Sequence, residues 1–189
     1  PQLQQDLEAA VSDSLNWNPW PVDRDRLVAG LMAVIDTPLG PMFDDRPLRD
    51  LKPADRLDAM SFDLTLGEGG GRPSDADLGE LLLRHLAPDD ALRGWASRLA
   101  TGPFSTVLAG HLTGSIDLVA RVRHPDGVER FVVCDYKTNR LARSGVTPTA
   151  ENFRPDQLPA AMADADYPLQ ALLYSVALHR HLRWRLADT

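Results

Sequence analysis

Five side chains in the second half of this sequence could do chemistry together. Asp117, Asp135 and Lys137 supply two acids and an amine, and Gln170 and Tyr174 follow one helical turn apart. Two carboxylates brought face to face repel unless positive charge lies between them, and a divalent cation would supply it. A glutamine and a tyrosine on one helix face can hydrogen-bond a phosphate or a lysine amine. The set could hold a divalent cation and present an amine and two hydrogen-bonding groups beside it. It depends on a sheet and a helix that hold the five groups together.

The sheet element is a β-hairpin. Ile116, Leu118, Val119 and Val122 form one β-prone run and Phe131, Val132 and Val133 another, separated by the turn residues Pro125-Asp126-Gly127. A turn centred on Asp126 makes antiparallel partners of residues whose numbers sum to about 252. Asp117 then lies across from Asp135, with Cβ atoms roughly 4.5–5.5 Å apart, and Ser115 lies across from Lys137. Because strand side chains alternate, Lys137 shares a face with Asp135 while Tyr136 points away. A β-bulge would shift this register by one. The single cysteine, Cys134, falls inside the second strand, which excludes an internal disulfide, a four-cysteine zinc site and a cysteine-ligated iron–sulfur cluster.

The helix element begins at Tyr167. Leu169, Leu172, Leu173 and Val176 make its expected apolar stripe, with Gln170, Tyr174 and His181 along an adjacent face. Upstream, periodicity predicts helices over Gln2–Leu15, from an Asp23 cap to before Pro38, from a Ser74/Asp77 capping box to Pro88, and from Asp89 to about Ala100. A strand is expected over 59–66 with Met60, Phe62, Leu64 and Leu66 on one face and Asp63 on the other. Leu27, Leu31, Val34 and Ile35 are the expected inner stripe of the second helix. Trp17 and Trp20 read as packing in a helix–helix connection, with base stacking as the other use. His85 reads as a surface or packing residue. Gly67-Glu68-Gly69-Gly70-Gly71 lacks the lysine of a phosphate-cradling loop and reads as a connector. Residues 142–166 read as mostly loop, with a helical turn near 158–162.

Composition bounds the rest. The chain has 189 residues, 43% of them hydrophobic, and a net charge of −7. That suits a single domain over 1–189: a mainly helical scaffold in 1–109 and the hairpin with its following helix in 110–189. Residues 1–106 hold 10 basic against 18 acidic residues; residues 107–189 hold 10 against 9. The second half is therefore the one less hostile to a polyanion, and its basic footprint (Lys137, Arg140, Arg143, Arg180, Arg183, Arg185) is modest. No run approaches the ~20 apolar residues of a membrane span, and no export signal is apparent, so no membrane partner is expected and a reducing cytoplasm fits.

The segments Gly114-Ser-Ile-Asp117, Asp135-Tyr-Lys137-Thr-Asn139, Tyr167-Pro-Leu-Gln170-Ala-Leu-Leu-Tyr174 and Ala177-Leu-His-Arg180 resemble the successive motifs of the RecB nuclease domain family. That family belongs to the PD-(D/E)XK superfamily, and its domain forms the C-terminal part of the helicase–nuclease subunit of RecBCD (exonuclease V). The resemblance is close over 110–187 and looser over 1–109. It implies an α/β, restriction-endonuclease-like core with a mixed central sheet flanked by helices. It implies a deoxyribonuclease acting in double-strand-break repair and recombination, with DNA and RecC-like and RecD-like subunits as partners. It also implies Mg²⁺, replaceable by Mn²⁺, held by Asp117, Asp135 and the Tyr136 carbonyl. Lys137 would orient water and steady the phosphate, and Gln170 and Tyr174 would brace the lysine or the phosphate. Two departures stand out. The family's metal-binding histidine on the first helix has no counterpart before His85, and the chain stops before the family's last strand, which leads to the expectation of a core truncated at both ends. A non-catalytic nuclease-like module that binds DNA or a subunit is the alternative.

Overall fold

The computed structural model describes residues 2–66, 73–102, 107 and 109–186. The glycine-rich connector lies outside the described residues. In chain order the helices are α1 (Gln2–Trp17), α2 (Arg24–Asp36), α3 (Asp75–His85), α4 (Arg93–Thr101), α5 (Leu158–Asp164) and α6 (Tyr167–Arg185). The strands are β1 (Arg56–Leu66), β2 (Gly110–Arg123) and β3 (Glu129–Cys134). They form one three-stranded antiparallel sheet in the order β1-β2-β3. A mixed sheet was expected. Among the described residues no parallel pair appears; β2 and β3 are joined by a turn too short for the crossover that a parallel pair requires.

Next to the turn the hairpin register is the expected one. His124 N–H donates to Val128 C=O at 3.1 Å, and Gly127 N–H donates to His124 C=O at 2.9 Å. Residue 124 therefore faces 128, and β3 ends at Cys134, one residue before Asp135.

Two compact units divide the described chain. The first takes residues up to Leu57 together with Val119–Val132. Asp23 caps α2 by accepting the Arg26 N–H at 3.0 Å, and Arg24 Nε reaches Ser12 Oγ on α1 at 2.8 Å. Its buried side chains are Val11, Val28, Phe43 and Leu51, with Val119, Ala120, Val122 and Val132 from the hairpin. The expected inner stripe of α2 is shifted: Val28 is the buried residue, whereas Leu27 and Val34 are exposed. The tryptophans also depart from expectation. Pro19 and Pro21 hold the α1–α2 connection out of helical geometry, and Trp17 and Trp20 are left 86% and 70% exposed.

The second unit takes Asp58–Leu118 and the chain from Val133 onward. In β1 the inward alternation at Met60, Phe62 and Leu64 starts just after Ala59, whose φ of 54° is left-handed. Ser74 and Asp77 form the expected capping box: Ser74 Oγ accepts the Asp77 N–H at 3.1 Å, and Asp77 Oδ2 accepts the Ser74 N–H at 2.7 Å. Helix α4 starts later than expected, because Asp90 takes the Leu92 N–H at 2.8 Å in a turn ahead of it. Gly79 lets α3 and α4 approach closely; a Cβ there would lie 2.4 Å from Ala100 N. Trp95, Ala96, Ile116, Leu118, Leu64, Ala177 and Leu178 are buried in this unit. The stretch expected to be mostly loop contains a 3-10 turn at Ala150–Phe153 as well as α5.

Helix α6 is rotated relative to expectation. Its buried positions are Pro168, Ala177 and Leu178, while Val176 is 42% exposed. Gln170, Tyr174, Ala177 and Leu178 fall at offsets of four, seven and eight, so they share one face. The polar edge of α6 is thus continuous with its buried edge. The hydrogen bonds of Gln170 and Tyr174 supply the reason.

Candidate active site

The chain leaves β3 at Cys134, and the next three residues meet β2 and α6. Asp117, half-buried on β2, accepts the Tyr136 N–H on Oδ2 at 2.8 Å. Lys137 forms an ion pair with Asp135 Oδ2 and donates from Nζ to Gln170 Oε1 at 2.6 Å. Gln170 turns its amide around: Nε2 donates to Asp135 Oδ1 at 3.3 Å and to the Tyr174 hydroxyl at 2.8 Å. Asp135, Lys137, Gln170 and Tyr174 therefore make one closed network, with Asp117 tied to the same backbone segment. Tyr136 contributes its N–H to this link, and its side chain is 57% exposed. His181 lies outside the network, edge-on to Trp184 with ring centroids 6.2 Å apart. His85, exposed at the end of α3, takes no part in it.

Each of the two acids has a partner within the chain. Lys137 supplies the positive charge at Asp135, and a backbone amide dipole supplies it at Asp117. Burial pulls the Lys137 ammonium down, but its hydrogen bond and attraction to Asp135, with help from Tyr167 and Tyr174, outweigh that and raise its pKa above the ordinary lysine value. Lys137 is thus a protonated donor at neutral pH. Cys134, next to Asp135, is a half-buried free thiol whose pKa burial pushes up.

Three further groups shape the site. The Tyr167 ring lies under the lysine, with Nζ 4.2 Å from its centroid, and its hydroxyl donates to Asn139 Oδ1 at 2.8 Å. Phe62 of β1 packs edge-on against Tyr174, with centroids 5.8 Å apart. Gly114 is required for this placement, because a Cβ there would sit 2.6 Å from the Phe62 ring. These residues wall a cleft of about 390 Å³ beside Lys137, completed by Leu112 and Leu173. Sequence reasoning assigned no role to Phe62, Asn139 or Tyr167. The available signal was helical spacing: Tyr167 precedes Gln170 by three residues and Tyr174 by seven.

The donor set suits a hard divalent cation. Two carboxylates and a backbone carbonyl offer only oxygen, and Mg²⁺ is commonly held by one or two carboxylates with water completing its shell. Among the described residues there is no group of three or more histidine, cysteine, aspartate or glutamate side chains placed to hold a metal ion. His111, on β2, instead bonds Asp63 of β1 at 3.3 Å, both side chains being exposed.

Comparison with known proteins adds to this geometry. The chain is similar to RecBCD enzyme subunit RecB. It is 41% identical over 192 residues to that protein from Mycolicibacterium smegmatis (strain ATCC 700084 / mc(2)155), a match covering 97% of this chain and 17% of that protein. With the same-named protein of Mycobacterium tuberculosis (strain ATCC 25618 / H37Rv) it shares 42% over 200 residues, covering 100% of this chain and 17% of the relative. With that of Escherichia coli (strain K12) it shares 42% over 79 residues, 42% of this chain and 6% of the relative. The chain spans about a sixth of the length of the curated mycobacterial relatives it matches. No family model matches it. Among the described residues no helix is long and apolar enough to cross a membrane.

Proposed function

We propose that this chain is the nuclease domain of a RecB-like helicase–nuclease and hydrolyses DNA phosphodiester bonds with Mg²⁺, as a deoxyribonuclease of the exonuclease V type with a PD-(D/E)XK core. The role that follows is in double-strand-break repair and recombination, with DNA and RecC-like and RecD-like subunits as partners. The observation that carries the reading is the closed network of Asp135, Lys137, Gln170 and Tyr174, with Asp117 fastened to the amide between Asp135 and Lys137. A surface ion pair has no need of a second carboxylate and two further partners.

In this reading Asp117, Asp135 and the Tyr136 carbonyl hold Mg²⁺, whose chemistry there is to polarise the phosphate and lower the pKa of water. Lys137 does the rest of the electrostatic work. Its ammonium, kept charged by Asp135, faces phosphate oxygens and stabilises the charge that grows on them. Gln170 accepts from the lysine through Oε1 and donates to Asp135 through Nε2, so it fixes both groups in one relative geometry. Tyr174 holds the Gln170 amide in the orientation that makes this possible.

The test is cleavage of end-labelled single- and double-stranded DNA by the purified chain with Mg²⁺, Mn²⁺ or EDTA, beside Asp117→Asn. Metal-dependent cleavage that disappears in Asp117→Asn is expected. Equal cleavage by both proteins would end the proposal. The second reading, a module that binds DNA or a subunit without cutting it, draws on the same network's internal charge balance. It requires DNA retention without metal-dependent products.

A further inference from the structure

We propose that Tyr167 is a positioning residue that holds the Lys137 ammonium in its working place from below; this rests on the reading of Lys137 as the group that meets the scissile phosphate. Lysine ends a flexible four-carbon stem, so an ammonium that must meet one oxygen needs more than a single partner to fix it. Lys137 has three N–H donors. Asp135 and Gln170 take two of them. A third side-chain acceptor would leave none for a substrate.

The Tyr167 ring avoids that cost. Its face attracts the positive charge from 4.2 Å, well inside the ~6 Å range of cation–π attraction, and uses no directed donor. One N–H remains available. The ring is itself fixed at two points. Its hydroxyl donates to Asn139 Oδ1 at 2.8 Å, so the segment that carries the lysine is fastened two residues further on to the ring beneath it. The residue before it, Asp166, adopts a left-handed φ of 53° at the start of α6 and accepts the buried Trp95 indole N–H on Oδ1 at 3.0 Å. Nearby, Arg98 of α4 bonds the Ala163 carbonyl at 3.0 Å. Through Trp95 and Arg98, α4 sets where α6 begins and hence where the tyrosine ring stands.

The experiment combines NMR of the lysine side chains in the full 189-residue chain with steady-state DNA cleavage, for wild type, Tyr167→Phe, Tyr167→Leu and Asn139→Ala. A ring face against the ammonium shifts the Lys137 ε-methylene protons upfield, a signal that needs neither metal nor DNA. The expected result keeps that shift in Tyr167→Phe and removes it in Tyr167→Leu. In Tyr167→Leu kcat should fall by about tenfold, the scale of a partly desolvated cation–π contact, with KM within about twofold. Tyr167→Phe should restore most of that kcat, which a purely structural role for the hydroxyl would not allow. An unshifted lysine in wild type, or a kcat unchanged in Tyr167→Leu, overturns the proposal. If Tyr167→Leu does not fold, Tyr167→Phe and Asn139→Ala, which both break the hydroxyl bond and keep the ring, decide: a retained shift with most of kcat in both upholds the ring as the positioning group, and a kcat lost with the hydroxyl bond overturns it. A wild-type chain with shifted lysine protons and no cleavage refutes the nuclease reading while upholding the placement of Lys137 by Tyr167.

Discussion

The two ends of the β2–β3 hairpin both carry pairs of opposite charge, and they differ in how many other groups fix each pair. At the turn end, Arg123 meets Glu129 and Arg130 meets Asp126, each side chain between 38% and 72% exposed. Bond to Arg123 or Arg130 lowers the pKa of each of these carboxyls, Asp126 also through the Val128 N–H, and all of these groups stand in solvent. At the open end, Lys137 and Asp135 are 30% and 18% exposed, and each bonds Gln170 as well as the other. The lesson is that an ion pair becomes a site when its geometry is over-determined. Solvated pairs with one partner apiece can rotate away at little cost.

Substitutions at the two ends should therefore separate widely. The largest effect is expected for Asp135→Asn: cleavage should fall by at least about a hundredfold, the scale set by loss of one preorganised polar group, while circular dichroism stays native. Glu129→Gln, its counterpart at the turn end, should cleave like wild type. Equal losses at both ends would erase the distinction. Lys137→Met sharpens it further. Removing the resident positive charge should lower cleavage, by less than Asp135→Asn does, yet tighten Mn²⁺ binding several-fold by calorimetry, since the two cations compete for Asp135. Weaker Mn²⁺ binding would mean the lysine does not oppose the metal.

Next in size is Gly114→Ala, where the new methyl meets the Phe62 ring. A loss of about 1–3 kcal/mol in denaturant unfolding is expected, as for overpacking generally, together with a lowered kcat from the displaced Tyr174 wall; unaltered stability would show that the ring swings clear. The smallest effect belongs to Arg130→Ala. Asp126 is held below its ordinary 3.8 chiefly by Arg130, so its NMR-titrated pKa should rise toward that value. A folded-state pKa below the unfolded one contributes stability above the unfolded pKa, and that stability is lost as pH falls through the folded value. The variant should be slightly less stable than wild type above about pH 4, and the difference should fade as pH falls below that.

How legible all this was in the sequence depended on the range of the interactions. The hairpin register could be counted from Pro125-Asp126-Gly127 because turn chemistry is local, and the caps at Asp23 and Ser74 act over three residues. Gln170 and Tyr174 could be paired by spacing alone. What could not be read was any property decided by partners distant along the chain. Period alone could not tell that α6 buries Ala177 and Leu178 on the Gln170 face, because hydrogen bonds to Asp135 and Lys137 set its rotation. Nor could composition reveal that Trp17 and Trp20 face solvent, since aromatic rings beside prolines look the same whether packed or bare. Nor could spacing tell that Lys137, two residues along the chain, ion-pairs with Asp135.

Cys134 gives this hairpin a clock. Its thiol is half-buried in the last residue of β3, next to Asp135, and burial keeps it protonated at neutral pH. Only thiolate reacts with alkylating reagents, so the native strand resists them. Modification should therefore quicken as pH rises and wherever the end of β3 loosens from its neighbour, and its rate registers both. As the chain has a single cysteine, mass spectrometry can follow that rate without any engineered label.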